Sequence, residues 1–194
     1  MALTPGQLEN RRRNRGMLVA LFVLFFGGLL VAGLLRFSGW RPEGSKNRGE
    51  LLQPYGDLRE YAPTLDDGGA YRWKDSPRTW RIVAMPRDCD GARAADCARL
   101  LADLDKVWKL MNKDADRVHL LWAGAVPSPA AALPGEARPL RADAGLRAGL
   151  ARWDDPKGDP VWLVDPNGFV VLRYAPGFDP GDLRTDLARL MKIN

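Results

Sequence analysis

Histidine is nearly absent from this chain and cysteine is scarce. Among 194 residues there is one histidine, His119, and there are two cysteines, Cys89 and Cys97. A single imidazole leaves little room for hydrolytic mechanisms that use histidine as general base. The sequence also contains no Gly-rich phosphate loop, no zinc quartet, no Ser-His-Asp pattern, no nucleic-acid motif and no internal repeat. The balance favours a non-enzymatic role.

Long apolar runs are also rare, with one exception. The stretch Met17–Leu35, "MLVALFVLFFGGLLVAGLL", holds 19 residues without a charge. At about 1.5 Å per residue this is the length that spans a hydrocarbon core. It exceeds the apolar region of a signal peptide, and "LLRFSGWRPEG" offers no small-residue cleavage site. The run is read as a retained single-pass helix over 17–36. Gly27 and Gly28 are tolerable in a membrane helix.

Charge divides along the chain. Arg11, Arg12, Arg13 and Arg15 precede the run against Glu9, whereas from Phe37 onward 24 basic residues nearly balance 23 acidic ones. The net charge of +5 is therefore mostly a membrane-flank effect. With no concentrated basic face left over, nucleic acid is not expected as a partner. The positive-inside rule places residues 1–16 in the cytoplasm, with Trp40 as an interfacial anchor on the far side. In a bacterium the anchor would lie in the inner membrane and the soluble part in the periplasm, where disulfides persist.

Residues 37–62 are polar and punctuated by Gly and Pro. They read as a tether followed by an extended segment that can pack on the domain, with the folded domain over 63–194. "TLDDGGAYRW" predicts a turn at Asp66–Gly69 and then a short strand. "TWRIVAM" (79–85) and "RVHLLWAG" (117–124) predict buried strands. Between them Cys97, Leu100, Leu101, Leu104, Val107, Trp108 and Met111 recur at helical spacing. Asp96 is a candidate cap for that helix, although the start can also fall earlier, within "GARAAD". "AVPSPAAALPGEARPLR" reads as a long surface loop, and "ADAGLRAGLARW" as a modest helix. Two apolar β-runs, Val161–Val164 and Phe169–Tyr174, flank "DPNG", a hairpin signal. "DPGDLRTDLARLMK" predicts a closing helix with Asp179 as N-cap and Pro180 at its first position.

Strand, helix, strand, loop and helix, antiparallel hairpin, helix is the order of an α/β thioredoxin-like fold. It comprises βαβ and then ββα, with a central mixed sheet flanked by helices. "TWRIVAMPRDCD", the helix carrying "NKDADRV", and "VWLVDPNGFVVLRYAPGFDPGDLRTDLARLM" resemble the Sco/SenC cytochrome c oxidase assembly family, in its membrane-anchored bacterial branch. That family carries C-x3-C after the first core strand and a distal His shortly before the hairpin, and these bind copper for delivery to an oxidase subunit. The resemblance implies that Cys89 and Cys97 match the two family cysteines, and that cytochrome c oxidase subunits or assembly factors are the partners. The chain departs twice. Its cysteines are spaced C-x7-C, and "RWDDPKGDPVWLVD" holds no histidine.

The chemistry of the pair stays open at this point. Cu(I) favours soft thiolates, so Cys89 and Cys97 are candidate copper ligands, but Asp88 and Asp90 are too hard to replace an imidazole. A thiolate in the first turn of a helix is stabilised by the helix dipole, which suits a redox pair, although Asp88, Asp90 and Asp96 oppose it. A structural disulfide needs only Cα atoms within about 7 Å. Pro160 stands where thioredoxin-like oxidoreductases keep a cis-proline, and is equally at home at a strand start. His119, on a core strand, is read as structural. Two functions follow: a periplasm-facing oxidase assembly protein that handles copper or thiols, or a non-catalytic interaction module that has lost the copper site. A thiol-disulfide oxidoreductase is a third.

Overall fold

A computed structural model describes residues 5–38, 46–74, 77–127, 133–134 and 137–192. Trp40 lies outside the described residues. The chain divides into two units, Met1–Gly44 and Ser45–Asn194.

The first unit is a helix, α1 (Pro5–Phe37). Its portion Asn14–Phe37 has a mean hydropathy of 2.8 and is long and apolar enough to cross a membrane. Its apolar side chains, Leu24 and Phe25 among them, are exposed on all sides. The helix extends the expected span of 17–36 backwards into the basic segment, because nothing between Pro5 and Gly16 breaks it.

The second unit is built on a mixed sheet of strands β1 (Glu50–Asp57), β2 (Trp80–Ala84), β3 (Val118–Ala123), β4 (Ala137–Leu140), β5 (Val161–Val164) and β6 (Phe169–Tyr174), in the order β1-β6-β5-β2-β3-β4. β2, β3 and β4 run parallel, while β5 is antiparallel to β2 and β6, and β1 is antiparallel to β6. The helices are α2 (Ala94–Lys109), α3 (Ala144–Gly149) and α4 (Pro180–Leu190). Every residue of β2 and β5 is buried. Strands covered on both faces read as unbroken apolar runs, which is why the sequence located them. Because side chains alternate across a strand, Trp80, Ile82 and Ala84 join Leu101, Leu104, Leu183 and Leu187 in one core. Val83 and Met85 join Leu58, Tyr71, Trp73, Leu146 and Trp162 in the other.

Three expectations are corrected by the structure, whereas the extended segment expected within 37–62 is found as β1, a strand of the sheet. Pro54 and Gly56 interrupt its alternation, and its register on β6 shifts between Leu51 and Gly56. The expected short strand after Asp66–Gly69 is reduced to isolated bridges at Thr64, Leu65 and Ala70. Within the expected loop 125–141 lies β4, an edge strand in which Pro139 is tolerated. Asp96 does not cap α2. A 3₁₀ turn over Gly91–Arg93 leads into the helix at Ala94, and Asp96 falls in its first turn. The caps at Asp143 for α3 and Asp179 for α4 accept backbone N–H groups, from Leu146 and Gly181.

Candidate functional site

β2 delivers the chain through Met85 and Pro86 into the loop "RDCD", and Gly91 turns it with a positive φ of 53°. The 3₁₀ turn and α2 then bring Cys97 back beneath Cys89. The two sulfurs are bonded, with Cα atoms 5.6 Å apart, inside the range a disulfide spans. Both cysteines are buried, Cys89 at 2% exposure and Cys97 at 0%, within the core that holds Leu101 and Leu104. Cys97 Sγ lies 3.3 Å from Asp88 O. Asp88 Oδ1 accepts the N–H of Asp90 at 3.0 Å, closing a local turn, and both side chains are exposed.

The loop before β5 faces this junction. Arg93 pairs with Asp159, and the Arg87 guanidinium donates to Asp155 O at 2.9 Å. Asp155 also pairs with Arg173, which is 97% buried on β6. The N–H of Lys157 and the Arg173 guanidinium hold the Asp155 carboxyl below its ordinary value. A cleft of about 360 Å³ runs between this loop, α2 and residues 176–180, lined by Arg93, Arg99, Leu100, Asp159 and Phe178. A smaller cleft, about 210 Å³, opens beside Cys89, Met85, Arg147 and Trp153. Pro160 is buried at the start of β5. Among the described residues the cis peptide is Gln53–Pro54, and the Asp159–Pro160 bond is trans.

His119 is not part of this site. It sits in register with Arg81, the second residue of β2, whereas the cysteines follow the opposite end of that strand. At about 3.3 Å per residue the register alone sets it roughly 10 Å back from Ala84. Its Nδ1 lies 2.7 Å from the Tyr71 hydroxyl, which in turn accepts the Nε–H of Arg81 at 2.8 Å. In the bonded state the two sulfurs offer no thiolate to copper, and the imidazole belongs to another network. Among the described residues no group of three His, Cys, Asp or Glu side chains is arranged to hold a metal ion.

The structure thus brings Cys89, Cys97, Asp88, Asp90 and Pro160 to one end of the sheet. Sequence reasoning missed Arg87, Arg93, Asp155 and Asp159, which join the cysteine loop to the pre-hairpin loop. The signal was two short charged clusters far apart in sequence, and only the fold shows that they meet.

A mixed sheet flanked by helices, with a cysteine pair where β2 passes into α2, defines a thioredoxin-like domain. The family described as transmembrane-like, thioredoxin-like, C-terminal domain matches residues 80–194, and the chain belongs to it. Among solved structures, copper-bound yeast Sco1 is similar at 13% identity and a TM-score of 0.51, over 77% of this chain and 95% of that one. Copper-bound ScoI of Arabidopsis thaliana is similar at 12% identity and a TM-score of 0.50, over 69% of this chain and 97% of that one. At such identities the likeness is one of fold. No curated protein matches.

Proposed function

We propose that this protein is a membrane-anchored, periplasm-facing interaction module that assists respiratory cytochrome c oxidase assembly without carrying copper itself. The apolar helix and its basic N-terminal flank support an inner-membrane anchor with a cytoplasmic N-terminus. The resemblance to Sco/SenC proteins supports the oxidase as the setting. The observation that carries the copper-free reading is the buried Cys89–Cys97 disulfide, away from the chain's one imidazole. A trans Asp159–Pro160 bond removes one support for thiol-disulfide turnover.

The test uses the full-length protein in detergent, reduced and titrated with Cu(I) against a chromophoric chelator. The expected result is no stoichiometric binding above that of the Cys89→Ser/Cys97→Ser protein. One Cu(I) per chain, lost in the double variant, would overturn the copper-free reading. In cells, deletion of the gene is expected to lower assembled oxidase, with wild-type and double-serine chains restoring it equally. Unchanged oxidase after deletion would remove the assembly role.

A further inference from the structure

The cysteine loop is fastened at two points, one on each side of Cys89. Arg93, between the two cysteines, pairs with Asp159, whose side chain is only 7% exposed. Arg87, two residues before Cys89, donates its backbone N–H to the same carboxylate at 3.4 Å and its guanidinium to Asp155 O. The Asp155 end is itself held by buried Arg173. These contacts cross from the loop to the pre-hairpin segment beside a disulfide that has almost no exposure of its own.

We propose that the Arg93–Asp159 pair is a latch that keeps the Cys89–Cys97 disulfide closed to reductants. A buried disulfide is reduced only after local opening, so the observed rate is the opening equilibrium multiplied by the intrinsic rate. The latch lowers that equilibrium, because opening breaks the charge-assisted hydrogen bonds that the Asp159 carboxylate accepts from Arg93 and from the Arg87 N–H, and rehydration of the separated charges offsets only part of that loss. Cys89 lines the cleft beside Trp153 and Arg147, so attack enters there, with Cys97 behind it. With a dithiol reductant, its first thiolate bonds to Cys89 Sγ as the S–S bond breaks and Cys97 leaves as a thiolate. The second thiol then displaces Cys89 and closes the reductant's own disulfide. Two electrons and two protons pass to the protein, which ends with two thiols. The latch acts whether or not the protein serves an oxidase.

The test is the reduction rate of the full-length protein in detergent under excess dithiothreitol, followed by maleimide capture and intact mass. Arg93→Ala and Asp159→Ala are each expected to react about tenfold faster than wild type, equivalent to about 1.4 kcal/mol of closing free energy. The charge-reversed pair R93D/D159R is expected to react more slowly than either single variant. Arg93 is one-third exposed, so high salt speeds wild type and leaves Arg93→Ala unchanged. Single-variant rates within about twofold of wild type, the scatter of neutral surface changes, would overturn the latch, as would a salt-independent wild-type rate. Leu187→Ala, which weakens the core through α4, controls for general loosening: equal acceleration by it also overturns the latch.

Discussion

Arg81 is a cation on a central strand with no measurable exposure and, among the described residues, no ion pair. Its hydrogen bonds explain how it is tolerated. Nε donates to the Tyr71 hydroxyl, Nη1 to the carbonyls of Thr79 and Asp165, and Nη2 to those of Arg72 and Trp73. All five N–H groups of the guanidinium are thereby used. The ring faces of Tyr71 and Trp73 lie 5.5 and 5.7 Å from its centre and add cation–π attraction. The Tyr71 oxygen that accepts from Arg81 also lies 2.7 Å from His119 Nδ1 and so ties the imidazole to the same group. The single histidine thus belongs to the network around Arg81, away from the cysteines. Arg81→Met keeps the length but strands several buried acceptors, and Arg81→Lys offers three donors for five acceptors. Each is expected to cost about 3 kcal/mol, read as a lower urea midpoint. An unchanged midpoint in Arg81→Lys would refute the five-acceptor account.

At the level of elements, α4 fastens the segment that leads into β1. Asp186 is fully buried, and its Oδ2 accepts the N–H groups of Arg48 and Gly49 at 2.8 Å and the Tyr174 hydroxyl at 3.0 Å. Arg48 pairs with Asp182, and Arg189 donates to Lys46 O. Burial, and then the Asp186 charge, push the Tyr174 hydroxyl far above its ordinary value, so it stays a donor. A Cβ at residue 49 would stand 2.7 Å from the Tyr174 ring, so only glycine lets the backbone come this close. Asp186→Ala leaves three donors unmatched and is expected to cost about 3 kcal/mol. In hydrogen exchange the β1 amides should lose protection while those of β2, β3 and β5 keep it. Uniform loss across the sheet would show that Asp186 supports the whole fold and not this junction. An extended segment was legible in "RPEGSKNRGELLQPYGDL", but neither its place in the sheet nor its fastening was. An edge strand with one covered face, a register shift and a proline has too little apolar pattern to stand out, and its partner, Asp186, is more than a hundred positions away.

Across the whole molecule, several carboxylates are held below their ordinary value in the folded state. Burial pushes the Asp143 carboxyl up, but the Tyr61 hydroxyl and the N–H groups of Leu146 and Gly145 outweigh it and bring it down. Asp57 is lowered to about 2 by its hydrogen bonds from Arg59, and Asp155 is lowered as described above. The unfolded chain therefore takes up protons at higher pH than the folded one. The stabilisation these groups give is complete above about pH 5 and is lost as pH falls from about 4 towards 2. The thermal midpoint is expected to fall over that window, and less steeply in Asp143→Asn. A midpoint that stays level down to pH 2, or an equal slope in the variant, would contradict this linkage.

The sequence by itself determined the apolar helix, the buried strands β2, β3 and β5, the hairpin around "DPNG" and the amphipathic faces of α2 and α4. Each of these is a local pattern of burial with a period of two or 3.6 residues, written within a dozen neighbours. It also placed Cys89 and Cys97 at the passage from β2 to α2. Tertiary structure alone decided what joins distant segments: β1 and β4 at the sheet edges, the buried cage around Arg81, the Asp186 fastening, and the meeting of Arg93 with Asp159. It decided the state of the cysteines as well. C-x7-C is compatible with a metal site, a redox pair or a staple, and the choice depends on whether the loop folds back and on what stands opposite. Here it folds back far enough to bond the sulfurs, and what stands opposite is a carboxylate paired with an arginine. Contacts between residues far apart in the chain leave no periodic trace in either segment, which is why the fold and the place of the cysteines were readable and what faces them was not.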